Sequence, residues 1–149
     1  MMFDNALNYK ILTADGNYAF AIWEKEYVNV RKKDGKSVFE NWRLISLNDG
    51  TYEIMSEDSN DCKRGLCITH DYNTSGPVKV KPRQFKFNEN QRWEIEALEG
   101  SNVYTIKAHN APHLLTLQGD PKSNNDISAS EPKSKDEISD MQKWLIQSQ

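Results

Sequence analysis

The stretch NENQRWEI, residues 88–95, decides the fold because the chain repeats it. VFENWRLI covers 38–45 and SDMQKWLI covers 139–146, so Trp42, Trp93 and Trp144 stand at two successive intervals of 51 residues. A second mark follows each tryptophan. Tyr52-Glu53-Ile54 comes after Trp42 and Tyr104-Thr105-Ile106 after Trp93, while the partner of Trp144 appears at the other end of the chain as Tyr9-Lys10-Ile11. A third mark lies between them: Val28/Val30, Val78/Val80 and Ile127/Ala129, at intervals of 50 and 49 residues. A period near fifty, wrapping from the end to the beginning, is the signature of a closed repeat architecture.

Within each mark the apolar residues alternate. Tyr18/Phe20/Ile22, Trp42/Leu44, Tyr52/Ile54, Trp93/Ile95 and Tyr104/Ile106 each put apolar groups on one face of a strand. Turn signals separate the runs at Asp15-Gly16, Asp34-Gly35, Asn48-Asp49-Gly50, Ser75-Gly76-Pro77, Glu99-Gly100 and Gly119-Asp120-Pro121. Only SKDEISDMQKW (134–144) has room for a helical turn. Three units of about four strands predict an all-β chain, a β-trefoil of twelve strands. It forms one domain over 1–149 with repeats at about 7–49, 50–100 and 101–149. In that reading Trp42, Trp93, Trp144, Tyr9, Tyr52 and Tyr104 are core residues, since a tryptophan contributes a large buried area and wants a partner for its N–H.

The totals exclude several function classes. A net charge of −3 over 149 residues argues against a general nucleic-acid binder. The one basic run with interleaved aromatics, VKVKPRQFKF (78–87), reads as a strand with Lys79, Lys81 and Arg83 on its solvent face. No apolar run approaches the ~18 residues of a membrane helix. MMFDNALNYK is not a secretory leader, so the expected location is cytoplasmic, with no membrane partner. His109 and His113 are four apart, but Pro112 and the strand context spoil helical zinc geometry. With no glycine-rich phosphate loop and no nucleophile elbow, neither enzyme, cofactor nor metal chemistry is expected.

The residue two before each tryptophan is Glu40, Gln91 or Gln142, and Asn90-Gln91-Arg92-Trp93 gives the full Asn-Gln-x-Trp form. This resembles the threefold Gln-x-Trp signature of ricin-B-type trefoil lectins and covers the whole chain at the level of fold. The resemblance implies a carbohydrate-binding role. It also implies an aspartate after the apolar or cysteine position of a repeat's second strand, where this chain has Thr69 and Thr116. The Tyr-x-Ile and Trp-x-Leu/Ile cadence, with the stretch 103–132, is also similar to the small fungal, cospin-like serine-protease inhibitors. That resemblance implies inhibition through an exposed loop.

For inhibition the candidates are Lys63 and Arg64, which a Cys62–Cys67 ring in DCKRGLC (61–67) would display to the acidic S1 pocket of a trypsin-like protease. Glu24, Lys25 and Glu26, and the stretch 121–125, follow; the alternative for each loop is a solvated turn, with free thiols at Cys62 and Cys67. For sugar stacking the candidates are Trp23, Tyr27 and Tyr72, aromatics with no threefold counterpart. The reading is a binding protein and not an enzyme. Protease inhibition through a loop comes first, a ricin-B-type lectin is the alternative, and a scaffold for another protein is third.

Overall fold

The last strand of each repeat begins at its marked tryptophan, Trp42, Trp93 or Trp144. The computed structural model describes residues 3–23, 27–32, 40–56, 66–70, 76–82, 89–98, 102–118, 127–131 and 138–148. The first repeat supplies β1 (Tyr9–Thr13), β2 (Tyr18–Trp23), β3 (Tyr27–Lys32) and β4 (Trp42–Ser46). The second supplies β5 (Tyr52–Ser56), β6 (Leu66–Thr69), β7 (Gly76–Pro77), β8 (Lys79–Pro82) and β9 (Trp93–Ala97). The third supplies β10 (Val103–Ala108), β11 (Leu114–Leu117), β12 (Ile127–Ser130) and β13 (Trp144–Ser148).

The first and last strands of the three repeats close a ring, every pair antiparallel: β1 with β4, β4 with β5, β5 with β9, β9 with β10, β10 with β13 and β13 with β1. The register explains why tyrosine and tryptophan recur together. Tyr9 lies opposite Trp42, Tyr52 opposite Trp93 and Tyr104 opposite Trp144, each within one repeat. On its other side each tryptophan meets the last residue of the following repeat's first strand: Ser56, Ala108 and Thr13. One residue therefore ties a repeat to itself and to its neighbour.

The remaining strands form three hairpins, β2–β3, β6–β8 and β11–β12, which meet over one end of the ring. β3 pairs with β8, and β12 with β7. The valine-type marks sit at this meeting point. Val28 N–H donates to the Val78 carbonyl and Val78 N–H to the Ile127 carbonyl, both at 3.4 Å. Val78 interrupts its strand to do so, and this explains why thirteen strand segments build a twelve-strand trefoil.

Buried side chains recur in threes: Ile11, Ile54 and Ile106 on the first strands of the repeats, Leu44, Ile95 and Ile146 on the last, and Phe20, Ile68 and Leu115 on the second strands, in the hairpins. Trp42, Trp93 and Trp144 are at most 1% exposed. Their indole N–H groups donate to the carbonyls of Phe20, Ile68 and Leu115 at 3.1, 3.0 and 3.0 Å. Each buried donor is thus matched by the second strand of its own repeat, sparing the penalty of about 1–3 kcal/mol for an unmade buried bond.

The end of the ring opposite the hairpins is closed by a residue the repeat pattern did not mark. Phe3 is buried against Tyr9, Tyr52 and Tyr104, with ring centroids 5.4, 5.6 and 5.4 Å away. Asp4 N–H donates to the Tyr9 hydroxyl at 2.8 Å, and Asn5 Oδ1 accepts from Ser46 N–H at 3.0 Å, which holds this segment in place. Tyr9 and Tyr52 are buried as expected, whereas Tyr104 is half-buried and packs against the core edge. Among the described residues, no helix is long and apolar enough to cross a membrane.

Candidate functional site

The Gln-x-Trp motif builds its rim from the core outward. Because Leu115 receives the Trp144 indole, the next residue of β11, Thr116, faces the opposite way. Its hydroxyl donates to the Leu114 carbonyl at 2.9 Å and accepts from Gln142 Nε2 at 3.2 Å. Gln142 is buried and ends a 3-10 turn, Asp140–Gln142. The bond pins that turn against β11. The second repeat repeats the arrangement. Thr69 donates to the Cys67 carbonyl at 2.9 Å, Gln91 Nε2 donates to Thr69 at 3.1 Å, and Gln91 ends the 3-10 turn Glu89–Gln91. The threonines that stand in place of the expected acidic residues thus hold the turns.

In the third repeat this geometry borders an open cleft of about 990 Å³. Leu98, Leu117, Ile138 and Met141 supply apolar wall. Thr116, Gln118, Ser130, Glu131, Ser139, Gln142 and Lys143 supply polar groups. Met141 is 42% exposed on the turn. Lys143 Nζ lies 3.2 Å from Asp140 Oδ1, and the Glu131 side chain is 66% exposed. The sequence offers aromatics for stacking and threonines where the resemblance implies an aspartate. The cleft offers the reverse: a carboxylate on Glu131, just past β12, and no aromatic among its described lining residues. Met141 and Lys143 were missed because they stand beside Gln142 and Trp144 of the repeated motif, and Glu131 because it lies past the end of β12. The available signal was the buried Gln142, since a short turn that buries one residue exposes its neighbours.

Behind Glu131 lies a buried histidine pair. His70 Nε2 and His113 Nδ1 are 2.8 Å apart, one donating and the other accepting, and His113 Nε2 is 4.0 Å from Glu131 Oε1. His109 faces elsewhere, with Nδ1 3.1 Å from Glu94 Oε2. His109 and His113 therefore serve different partners. No group of three His, Cys, Asp or Glu side chains suited to a metal occurs among the described residues.

Of the other sequence candidates, Trp23 and Tyr27 are not among the described residues that line this cleft. Lys63, Arg64, Cys62, Glu24, Lys25, Glu26, Tyr72, Arg83 and the 121–125 stretch lie outside the described residues. Cys67 is fully buried in β6. Trp23 and Tyr27 are register partners at the tip of the β2–β3 hairpin, in a different repeat from the cleft. In β8, Val80 is buried and Lys81 exposed, the alternation expected of a solvent-facing strand.

Six barrel strands, three hairpins and a Gln-x-Trp rim define a β-trefoil. The chain belongs to the ricin-type β-trefoil lectin domain-like family, whose model matches residues 39–130, more than half of the chain. Solved structures share the fold. A designed three-fold symmetric protein, ThreeFoil, is 19% identical over 93% of this chain and 96% of its own, with a TM-score of 0.71. A Polyporus squamosus lectin, solved with a human-type influenza-binding epitope, is 17% identical over 98% of this chain, with a TM-score of 0.76; this chain spans 50% of its length. SeviL, solved with the asialo-GM1 saccharide, is 12% identical over 95% of this chain and 96% of its own, with a TM-score of 0.69. No curated protein matches the chain in sequence.

Proposed function

We propose that this protein binds carbohydrate, without enzymatic activity, in the cleft of the third repeat. The observation that carries the reading is the cleft itself. It lies against the Gln-x-Trp rim and combines an apolar ledge at Met141 and Leu98 with donors and acceptors at Lys143, Gln118, Ser130 and Glu131. A sugar ring needs that mixture: hydroxyls require paired hydrogen bonds and the ring's C–H face requires apolar contact. Family membership supports carbohydrate binding over protease inhibition.

The test is a glycan array followed by titration calorimetry on the purified protein, with trypsin-, chymotrypsin- and subtilisin-like proteases assayed in parallel. Glu131→Gln and Lys143→Met should each weaken the best saccharide about tenfold, the effect of one good hydrogen bond, while leaving the melting temperature unchanged. Inhibition without any glycan signal would sink the carbohydrate reading and restore the loop-borne inhibitor.

A further inference from the structure

A second, smaller cleft of about 440 Å³ opens on the far side of the same turn. Thr13, Ala14 and Asp15 of the β1–β2 connection form one wall, and Asp140 and Trp144 contribute to the other. Leu117, Met141 and Lys143 line both clefts. The two therefore adjoin along Leu117 and a ridge that carries the exposed Met141 beside Lys143, and the second cleft lies between residues of the third repeat and of the first.

The seam is built for hydrogen bonding. Asp15 Oδ1 accepts from the Thr13 hydroxyl at 2.7 Å and from Asn17 N–H at 2.9 Å, which fixes the carboxylate at the mouth of the second cleft. The Thr13 hydroxyl, then the Asn17 N–H, hold the Asp15 carboxyl below its ordinary 3.8, so it is ionised at neutral pH. Across the two clefts the described charged lining residues are Asp15, Glu131, Asp140 and Lys143. Lys143 is already paired with Asp140, so the described lining of the two clefts is left with the negative charges of Asp15 and Glu131.

We propose that the two clefts take one uncharged saccharide of at least two rings, its chain crossing the ridge of Met141 and Lys143. This rests on the carbohydrate reading of the first cleft. One ring occupies the larger cleft, the linkage passes over the methionine, and the next ring meets Asp15 and Thr13. Ionised acceptors such as Asp15 favour hydroxyl donors. The same carboxylates repel sialylated or sulfated chains, because like charges brought together weaken association.

The experiment is calorimetry with a neutral mono-, di- and trisaccharide series built on the sugar that the array selects, together with the sialylated form of the longest member. Wild type should gain about tenfold or more in affinity from one ring to two. It should bind the sialylated form more weakly, by a margin that shrinks as salt is added. Asp15→Asn keeps an oxygen for Thr13 and Asn17 while removing the charge, and Ala14→Phe fills the second cleft. Both should abolish the gain with length and leave monosaccharide affinity within about twofold, below the 1.4 kcal/mol that a tenfold change represents. Equal affinity for one ring and two, or a sialylated form that binds best, would overturn the proposal while leaving the first cleft a sugar site. No saccharide bound at any length would overturn both readings.

Discussion

The first and third repeats hold their tryptophans in the same way and differ one layer further out. Trp42 and Trp144 are both buried, and both donate to a carbonyl of the second strand. Next to that carbonyl the third repeat has Thr116, bonded to Gln142. The first has Ala21, and the fully buried Glu40 replaces the glutamine. With no hydroxyl at position 21, the threonine–glutamine bond cannot form there. The core must be equal in all three repeats, because a ring closes only if each unit contributes the same width. The rim is free of that constraint, so it can diverge, and the larger cleft is built mainly from the third repeat, with Leu98 from the second.

The strongest way to break this comparison is to remove the tryptophans one at a time. Trp42→Ala, Trp93→Ala and Trp144→Ala should each cost about 3–5 kcal/mol in denaturant unfolding, the usual range for a deleted buried aromatic. A tryptophan whose loss is mild would show that the repeats are not equal at the core. Phe3→Ala comes next, at about 3 kcal/mol, from the same cavity effect. A wild-type melting curve for that variant would mean that the lower end of the barrel closes without it. At the rim the repeats should separate. Thr116→Ala and Thr69→Ala should cost about 1–2 kcal/mol for the lost bond to a buried amide. Only Thr116→Ala should also weaken saccharide binding, and an equal loss of binding from Thr69→Ala would spread the site over two repeats.

The smallest effect concerns acid. Asp49 is held below its ordinary 3.8 by the Thr51 hydroxyl, then by the Thr51 N–H, with Arg92 adding to it at 2.6 Å. Its folded pKa lies below the unfolded one. The stabilisation is therefore fully present above about pH 4 and is lost as pH falls through the lower folded value. Asp49→Asn should melt slightly below wild type at neutral pH, and the difference should shrink as pH falls below about 4, read from paired melting curves across the acid range. A difference that persists in acid would mean that the carboxylate's charge has no part in it. The half-exposed position of the pair keeps the effect small.

The fold was legible because its evidence occurs three times. Trp93 alone is an unremarkable strand residue; with Trp42 and Trp144 at equal spacing it implies a ring. The rim was only half legible. Gln91 and Gln142 were legible as part of the Gln-x-Trp motif, and they are buried, but the exposure of Met141 depends on the 3-10 turn around it. Glu131 lies past the end of β12, where alternation no longer says which way a side chain points. The neighbours of the cleft, Asp15 and Ala14, are over a hundred residues away in sequence from Lys143, and only the pairing of β1 with β13 brings them together. The loops on which the inhibitor reading depended carry no periodic signal, so pattern could nominate Lys63 and Arg64 but not place them.

Phe3 has a consequence for any attempt to idealise this molecule. Three tyrosines surround a single ring, and its planes meet theirs at 83°, 79° and 56°. A planar side chain at the centre cannot greet three neighbours alike, so the axis is where the symmetry ends, and Tyr104 sits differently from its two counterparts. A chain made of three identical copies could not supply such a residue, because every position inside a copy is present three times and the axis has room for one. The stopper must come from sequence that belongs to no repeat. The segment before Tyr9, which looks like an idle leader when the marks are counted, is the part of this protein that a perfect repetition would have to leave out.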